Sequence, residues 1–326
     1  MAPPYAPVPG VLKRRRPAGE TPFAIVARVL EGRGLEIHMG SSDETAPSRP
    51  PVSAIITTFN EERNIAACIE SLLWCDEIVL VDSHSIDRTA EIVRSYVKVR
   101  FLERDYFGSA SQKNWAIDQT AHEWILIFDA DEVCPVALRR EIERELAAPR
   151  AESYVIRRRA YFMDRMIRFS GWRNDSVVRL FRRGAARYPN KRVHADMVTR
   201  GTPAVLRTPM QHFMIDDFGE YVRRVVTYGI WGAAQEWRRG RSTSALEVAF
   251  RPAWRFFRMY VVQLGVLDGA AGLVFCLLQA FASYTKWSTL WAWRRNARRG
   301  RQPHLPPFDE DDTTWQEGRD TGTNAG

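Results

Sequence analysis

The stretch Val52-Ser53-Ala54-Ile55-Ile56-Thr57-Thr58-Phe59-Asn60-Glu61-Glu62 decides the fold. Residues 52–59 form a β-branched, apolar run without polar alternation, the pattern of a strand buried on both faces. A short polar turn follows, and then Ile65, Ile69, Leu72 and Leu73 recur at helical spacing. A buried strand that passes through a tight turn into an amphipathic helix opens a crossover to a parallel neighbour. The pattern repeats outward from there. Residues 77–81 read as a second strand, 88–96 as a helix, 99–102 as a third strand, 109–119 as a helix and 124–128 as another continuous apolar strand. This alternation predicts the α/β class, a doubly wound layer that takes its ligands at the carboxyl ends of the strands.

After Ala151 the strands become longer and mixed, at 153–156 and 176–181 with arginines interleaved, and are expected to extend the same sheet. From Asp216 the chain turns helical, with Tyr221, Val225, Tyr228 and Trp231 on one face. Four regions follow: a poorly ordered leader at 1–51, an α/β domain with a mostly parallel sheet at 52–215, a helical extension at 216–302 and an acidic, disordered tail at 303–326. At 326 residues the chain is long enough for one large core and an appendage. Lys13-Arg14-Arg15-Arg16 is followed by no long apolar segment, so no cleaved signal is expected, and Met39 is a second candidate start. Cys68, Cys75, Cys134 and Cys276 lack metal-site or secreted-framework spacing and are expected to be reduced and buried.

The net charge of +8 implies an anionic partner. Arginines crowd into 157–192 and again at Arg294, Arg295, Arg298, Arg299 and Arg301, just beyond a very apolar stretch, which points to a membrane surface and away from nucleic acid. Residues 259–285 carry one charge, Asp268, and the uncharged part from 269 to 285 falls slightly short of the roughly 20 residues of a spanning helix. Arg251, Arg255 and Arg258 precede it and Lys286, Arg294 and Arg295 follow it, so both ends are expected on the cytoplasmic side. Trp287, Trp291 and Trp293 fall where an interfacial belt would lie. The alternative is a buried helix of a soluble core.

Three strand ends carry acids. Asp129 and Asp131 follow the apolar run 124–128, and two carboxylates at i and i+2 in a turn can approach one hard cation, Mg²⁺ or Mn²⁺; an ordinary turn or helix cap is the alternative. Asn60, Glu61 and Glu62 follow the first strand, where Asn60 also reads as a helix N-cap with acids favouring the helix dipole. Asp82 ends the second strand, and Asp87 reads as a cap.

Taken together, Thr57-Thr58-Phe59-Asn60-Glu61, Val81-Asp82-Ser83-His84-Ser85-Ile86-Asp87-Arg88-Thr89 and Phe128-Asp129-Ala130-Asp131 resemble the family 2 glycosyltransferases over about residues 52–197. The resemblance implies a GT-A-type nucleotide-sugar-binding fold, a divalent metal and inversion at the anomeric carbon. By position it implies that Thr57, Asn60 and Glu61 line the nucleoside pocket, that Asp82 holds the base, and that Asp129 and Asp131 bracket metal and diphosphate. His84 stands where the family usually has Gly, so its backbone is expected in an unusual conformation. Gly108-Ser109-Ala110-Ser111-Gln112-Lys113-Asn114 is similar to the family's helix start, with Lys113 as a cation for the donor diphosphate or, alternatively, an exposed helix lysine.

Further along, Gly171-Trp172-Arg173-Asn174-Asp175, Arg179-Leu180-Phe181-Arg182-Arg183 and Val193-His194-Ala195-Asp196 resemble a subgroup acting on the lipopolysaccharide inner core, the β-glucosyltransferases. This implies Asp196 as the base for the acceptor hydroxyl, with Asp175 as its substitute. It implies His194 as a metal or diphosphate ligand, with an ordinary histidine of no ligand role as the alternative, and Arg179 as a bidentate phosphate partner. The implied reaction moves a hexose, glucose from UDP-glucose, onto a lipopolysaccharide-core or other glycolipid acceptor. The enzyme would be cytoplasmic, peripheral or monotopic on the inner membrane.

A nucleotidyltransferase acting on sugar phosphates would need a Gly-rich, cationic loop where Asn60-Glu61-Glu62 stands. A non-catalytic membrane scaffold explains the basic balance but not acids at three strand ends. Neither a dinucleotide-binding GxGxxG nor a P-loop pattern occurs.

Overall fold

The computed structural model describes residues 49–163, 165–173, 175–189, 196–215 and 218–306. The leader before residue 49 and the acidic tail from 307 lie outside the described residues. Four parallel strands form the first half of the sheet: β1 (Val52–Thr58), β2 (Glu77–Asp82), β3 (Val99–Glu103) and β4 (Trp124–Asp129). Strand β1 lies between β2 and β4, so that Thr57 stands level with Val81 on one side and Asp129 on the other. The absence of polar alternation has a direct cause. Ala54, Ile56, Leu80, Leu126 and Phe128 face one apolar cluster, and Ile55, Val79, Val81, Ile125 and Ile127 face the other. Helices α1 (Ile65–Leu72), α2 (Thr89–Arg94) and α4 (Val136–Ala147) cover the first face through residues such as Ile69, Val93 and Ile142. Helix α3 (Ser109–Gln119) covers the second through Ala110, Ala116 and Ile117.

The remaining strands are β5 (Glu132–Val133), β6 (Ser153–Phe162), β7 (Arg165–Met166), β8 (Ser176–Arg182), β9 (Ala186–Arg187), β10 (Val198–Thr199), β11 (Ala204–Val205) and β12 (Met210–Ile215). They continue the sheet in the order β3-β2-β1-β4-β8-β6-β12-β5, while β9 and β10 pair separately. Strand β8 runs antiparallel to both β4 and β6, which makes the sheet mixed. Strand β12 is parallel to β6, and β5 is antiparallel to β12, with His212 opposite Glu132. A strand from the end of the domain is thereby laid beside the acids that leave β4.

The extension comprises α5 (Phe218–Arg238), α6 (Ala245–Phe257), a π turn (Arg258–Val262), a 3₁₀ turn (Gly265–Asp268) and α7 (Gly269–Ala297). The apolar run from 259 to 285 is therefore broken in two. Leu264 adopts a left-handed conformation, and Gly265 is buried where a Cβ would lie 2.7 Å from Ser170 Oγ and 2.8 Å from the Met259 carbonyl oxygen.

Asp268, the charge within that run, accepts from Arg168 N at 3.0 Å, Phe169 N at 3.1 Å and Ser170 Oγ at 3.0 Å, tying the turn to the loop between β7 and β8. By length and composition the helical stretch Gly265–Ala297, which contains an 18-residue window of mean hydropathy 1.7, could cross a membrane. Its inner face is nonetheless committed: Phe275, Cys276 and Leu278 pack on Phe162 and Met214, and Trp287 and Leu290 pack on Ala233 of α5. Gly229 lets α5 approach closely, since a Cβ there would lie 2.7 Å from Thr285 Cγ2. Beside it, Lys286 Nζ reaches the buried Glu236 Oε1 at 2.9 Å.

Candidate active site

Two turns at the carboxyl ends of β1 and β2 are bonded into one floor. Asn60 N donates to Ser85 Oγ at 2.8 Å, Asn60 Oδ1 accepts from Ile86 N at 2.8 Å, and Glu61 N donates to Thr89 Oγ1 at 2.8 Å. Asn60 is thus not a helix cap: it is left-handed at φ 54°, and the cap position of α1 belongs to Asn64, which makes no side-chain cap bond. Asp87 does brace its helix start, accepting from Thr89 N at 2.9 Å. Asp82 is buried, and both its oxygens accept from Ser85, at 2.7 Å from the backbone N–H and 2.5 Å from the hydroxyl. Burial pushes its carboxyl up from the ordinary range, against the lowering effect of those bonds. His84 takes the conformation expected of a Gly position, φ 61°, with Nε2 2.8 Å from Asp105 Oδ1.

Asp129, at the end of β4, stands inside a cage of cations. Its Oδ1 is 2.6 Å from Lys113 Nζ and accepts from Thr57 Oγ1 at 3.2 Å, while Oδ2 accepts from Arg179 Nη2 at 2.6 Å. Burial alone would raise this carboxyl, but Arg179 and Lys113 hold it well below the usual range. Lys113 is therefore no exposed helix lysine; it is buried, with its ammonium 5.7 Å from the centre of the Tyr188 ring.

The same Arg179 Nη2 also donates to Glu132 Oε1 at 2.7 Å, and Glu132 Oε2 accepts from Asp129 N at 2.9 Å. Arg179 lies buried behind Asp129 with that nitrogen shared between two carboxylates, so it meets carboxylate where a phosphate was expected. Asp129 has both oxygens engaged, Oδ1 by Lys113 and Thr57 and Oδ2 by Arg179.

Asp131 diverges from Asp129 toward β12 and α5. Its Oδ2 lies 3.4 Å from His212 Nε2 and 3.9 Å from Arg224 Nη1. Arg224 also donates to Glu61 Oε1 at 3.0 Å, so one α5 cation joins the first and last acidic turns. Burial opposes ionisation of Asp131, and His212 lowers its carboxyl more than the nearby Asp129 raises it. Conversely, Asp131 raises the His212 imidazole against burial. Among the described residues no cluster of three or more His, Cys, Asp or Glu side chains is placed to hold a metal, and the Asp131 carboxylate lies beside the His212 imidazole.

Asp175 is gripped bidentately by Arg158, at 2.7 Å from Nε and 2.9 Å from Nη2. That fork engages both carboxylate oxygens of the residue expected as the substitute base. Asp196 is exposed just before β10 and ion-pairs with no described residue; its neighbour Met197 packs against the apolar cluster containing Tyr188. His194 lies outside the described residues.

His212, Glu132, Arg158 and Arg224 were not singled out from sequence. His212 is the one titratable side chain within β12, a signal that was present. Arg224 lies in a helix whose approach to the site only the fold reveals.

Residues 53–210 match the model of the family described as Glycosyl transferase family 2. The chain is similar to the lipopolysaccharide core biosynthesis glycosyltransferase LpsC of Rhizobium meliloti (strain 1021), with 32% identity over 250 residues, 72% of this chain and 93% of that protein. An uncharacterized glycosyltransferase of Rickettsia felis is 26% identical over 259 residues, 73% of this chain and 89% of its own. Among solved structures, S. aureus TarS 1-349 superposes with a TM-score of 0.40 at 15% identity, covering 79% of this chain and 100% of that one. The three acid-bearing strand ends, the mixed sheet and the extent of the LpsC match agree, and the chain belongs to glycosyltransferase family 2, with a GT-A-type fold.

Proposed function

We propose that this glycosyltransferase moves a hexose, glucose from UDP-glucose, with inversion and with a divalent cation, onto a lipopolysaccharide-core or related glycolipid acceptor at the cytoplasmic face of the inner membrane. The observation that carries the donor side is the Asp131–His212 pair, 3.4 Å apart at the carboxyl edge of the sheet. Two ligands cis to each other on one ion, each about 2.1 Å from it, lie roughly 3 Å apart, so the pair fits a cation of the Mg²⁺ or Mn²⁺ kind. A bound cation supplies charge to offset the departing diphosphate.

The other roles belong to the chain itself. Thr57, Asn60, Glu61 and Asp82 border the nucleoside pocket on the floor formed by the bonded turns after β1 and β2. Lys113 balances Asp129 beside the diphosphate site, while Arg179 and Glu132 hold Asp129 in place from behind. Asp196, exposed and without an ion-pair partner among the described residues, takes the acceptor hydroxyl proton as the sugar bond to diphosphate breaks. The LpsC relative supports a lipopolysaccharide-core acceptor, and the basic helical extension supports a lipid-borne one.

The test is thermal shift with a panel of nucleotide sugars, with Mn²⁺ or chelator, on wild type and Asp131→Ala. A shift with a UDP-hexose that needs both cation and Asp131 is the expected result. An undiminished, cation-independent shift in Asp131→Ala would remove Asp131 from the site, and a preference for another nucleotide would overturn the UDP assignment.

A further inference from the structure

Helix α6 is unusual for a helix of this length: none of its residues is buried. Its apolar side chains are not scattered. Leu246, Phe250, Trp254 and Phe257 follow one another at spacings of four, four and three, a single stripe along the helix, and are between 47% and 79% exposed. The aromatic rings stack along the stripe, with centroids 6.4 Å apart for Phe250 and Trp254 and 5.8 Å for Trp254 and Phe257. The turns that follow extend the surface, with Val266 and Leu267 also exposed. A contiguous exposed apolar surface of this kind marks an interaction site.

Its charge says what covers it. Residues 245–301 contain nine Lys and Arg and two acids, so this segment supplies seven of the chain's eight net positive charges. Both acids are already engaged, Glu247 by the cap of α6 and Arg251, and Asp268 by the 168–170 loop. Arg255 and Arg258 flank the stripe directly. An apolar stripe edged with arginine matches a surface that is apolar inside and anionic at its rim, as one leaflet of an acidic bilayer is.

A helix crossing the membrane does not fit, because α7 is held side-on by the sheet and by α5 through Phe275, Trp287 and the Lys286–Glu236 pair. We propose that α6 lies in the plane of an anionic membrane, with Phe250, Trp254 and Phe257 inserted into one leaflet and Arg255 and Arg258 at the headgroup phosphates. This deepens the reading of a lipid-borne acceptor, but its test requires neither donor nor acceptor.

The experiment is flotation of the full chain with vesicles of phosphatidylethanolamine and phosphatidylglycerol, or of phosphatidylcholine alone. It would use wild type, Phe250→Glu, Trp254→Glu and the milder Trp254→Ala. Wild type is expected to float with the anionic vesicles and more weakly with phosphatidylcholine. Each Glu variant is expected to bind at least about tenfold more weakly at an unchanged unfolding temperature, since these side chains leave no core. Equal binding by wild type and variants, or no binding by wild type, would overturn the proposal. So would a wild-type dimer that Trp254→Ala dissociates without any vesicle binding, because a second copy would then cover the stripe. Persistence of the nucleotide-sugar thermal shift in Trp254→Ala separates failure here from failure of the donor assignment.

Discussion

The parallel half of the sheet and the helical extension bury their apolar residues in different ways. In β1, β2 and β4 alternate apolar side chains enter two cores, so the strands read as unbroken apolar runs. In the extension, α7 divides its circumference between an inner face on the sheet and α5 and an outer face that carries Leu277 and Phe281 exposed, while α6 buries no residue fully and meets the core through the partly buried Val248 and Phe256. Polar groups follow the same division. Near β4 they form a buried, closely bonded network around Asp129; in the extension they cap, strap and rim. Apolar content alone therefore does not report burial: one apolar segment is core and another, of similar composition, is surface.

Three substitutions probe that contrast. Arg179→Met should have the largest effect, since it strands Asp129 and the wholly buried Glu132 without their shared cation. A loss of about 3–5 kcal/mol in urea unfolding is expected, and a loss below about 1 kcal/mol would mean that the network orients Asp129 without stabilising the fold. Asp268→Ala should cost about 1–3 kcal/mol, because it leaves two backbone N–H groups and a hydroxyl of the 168–170 loop without their acceptor. Amide exchange should rise together in 168–170 and 261–268; a rise in only one of them would show that Asp268 does not couple the loop to the turn. The smallest effect is expected for Ser244→Ala, which breaks the capping box with Glu247 at the start of α6. A change of about 1 kcal/mol or less, visible as exchange in the first turn of α6 rather than in global unfolding, would fit a helix that contributes little to the core.

Much of the fold was legible because buried parallel strands and their crossovers have strong local signatures. Residues 109–119 and the strands near 52, 77, 99 and 124 fall where apolar runs and helical periodicity place them. The antiparallel insertion of β8 between β4 and β6 was not legible, since strand direction leaves no mark in composition. At the site, the acids at strand ends could be found from their position after apolar runs. Their division of labour could not. Whether Asp129 meets a metal or a lysine depends on α3, and whether Arg179 faces phosphate or carboxylate depends on which face of β8 meets β4. The pairing of Asp131 with His212 depends on β12 returning beside β5 across some eighty residues of chain.

The sequence by itself determined that a parallel α/β layer forms, where its strands end, and that acids gather at those ends, because these follow from local periodicity and from short-range turn chemistry. Only the tertiary structure decided which cation neutralises which acid, that Asp175 is locked to Arg158, and that the long apolar run bends at Leu264 rather than continuing as one helix. Those outcomes are set by contacts between residues far apart in the chain, where the strength of an ion pair depends on burial and on distances of an ångström or less.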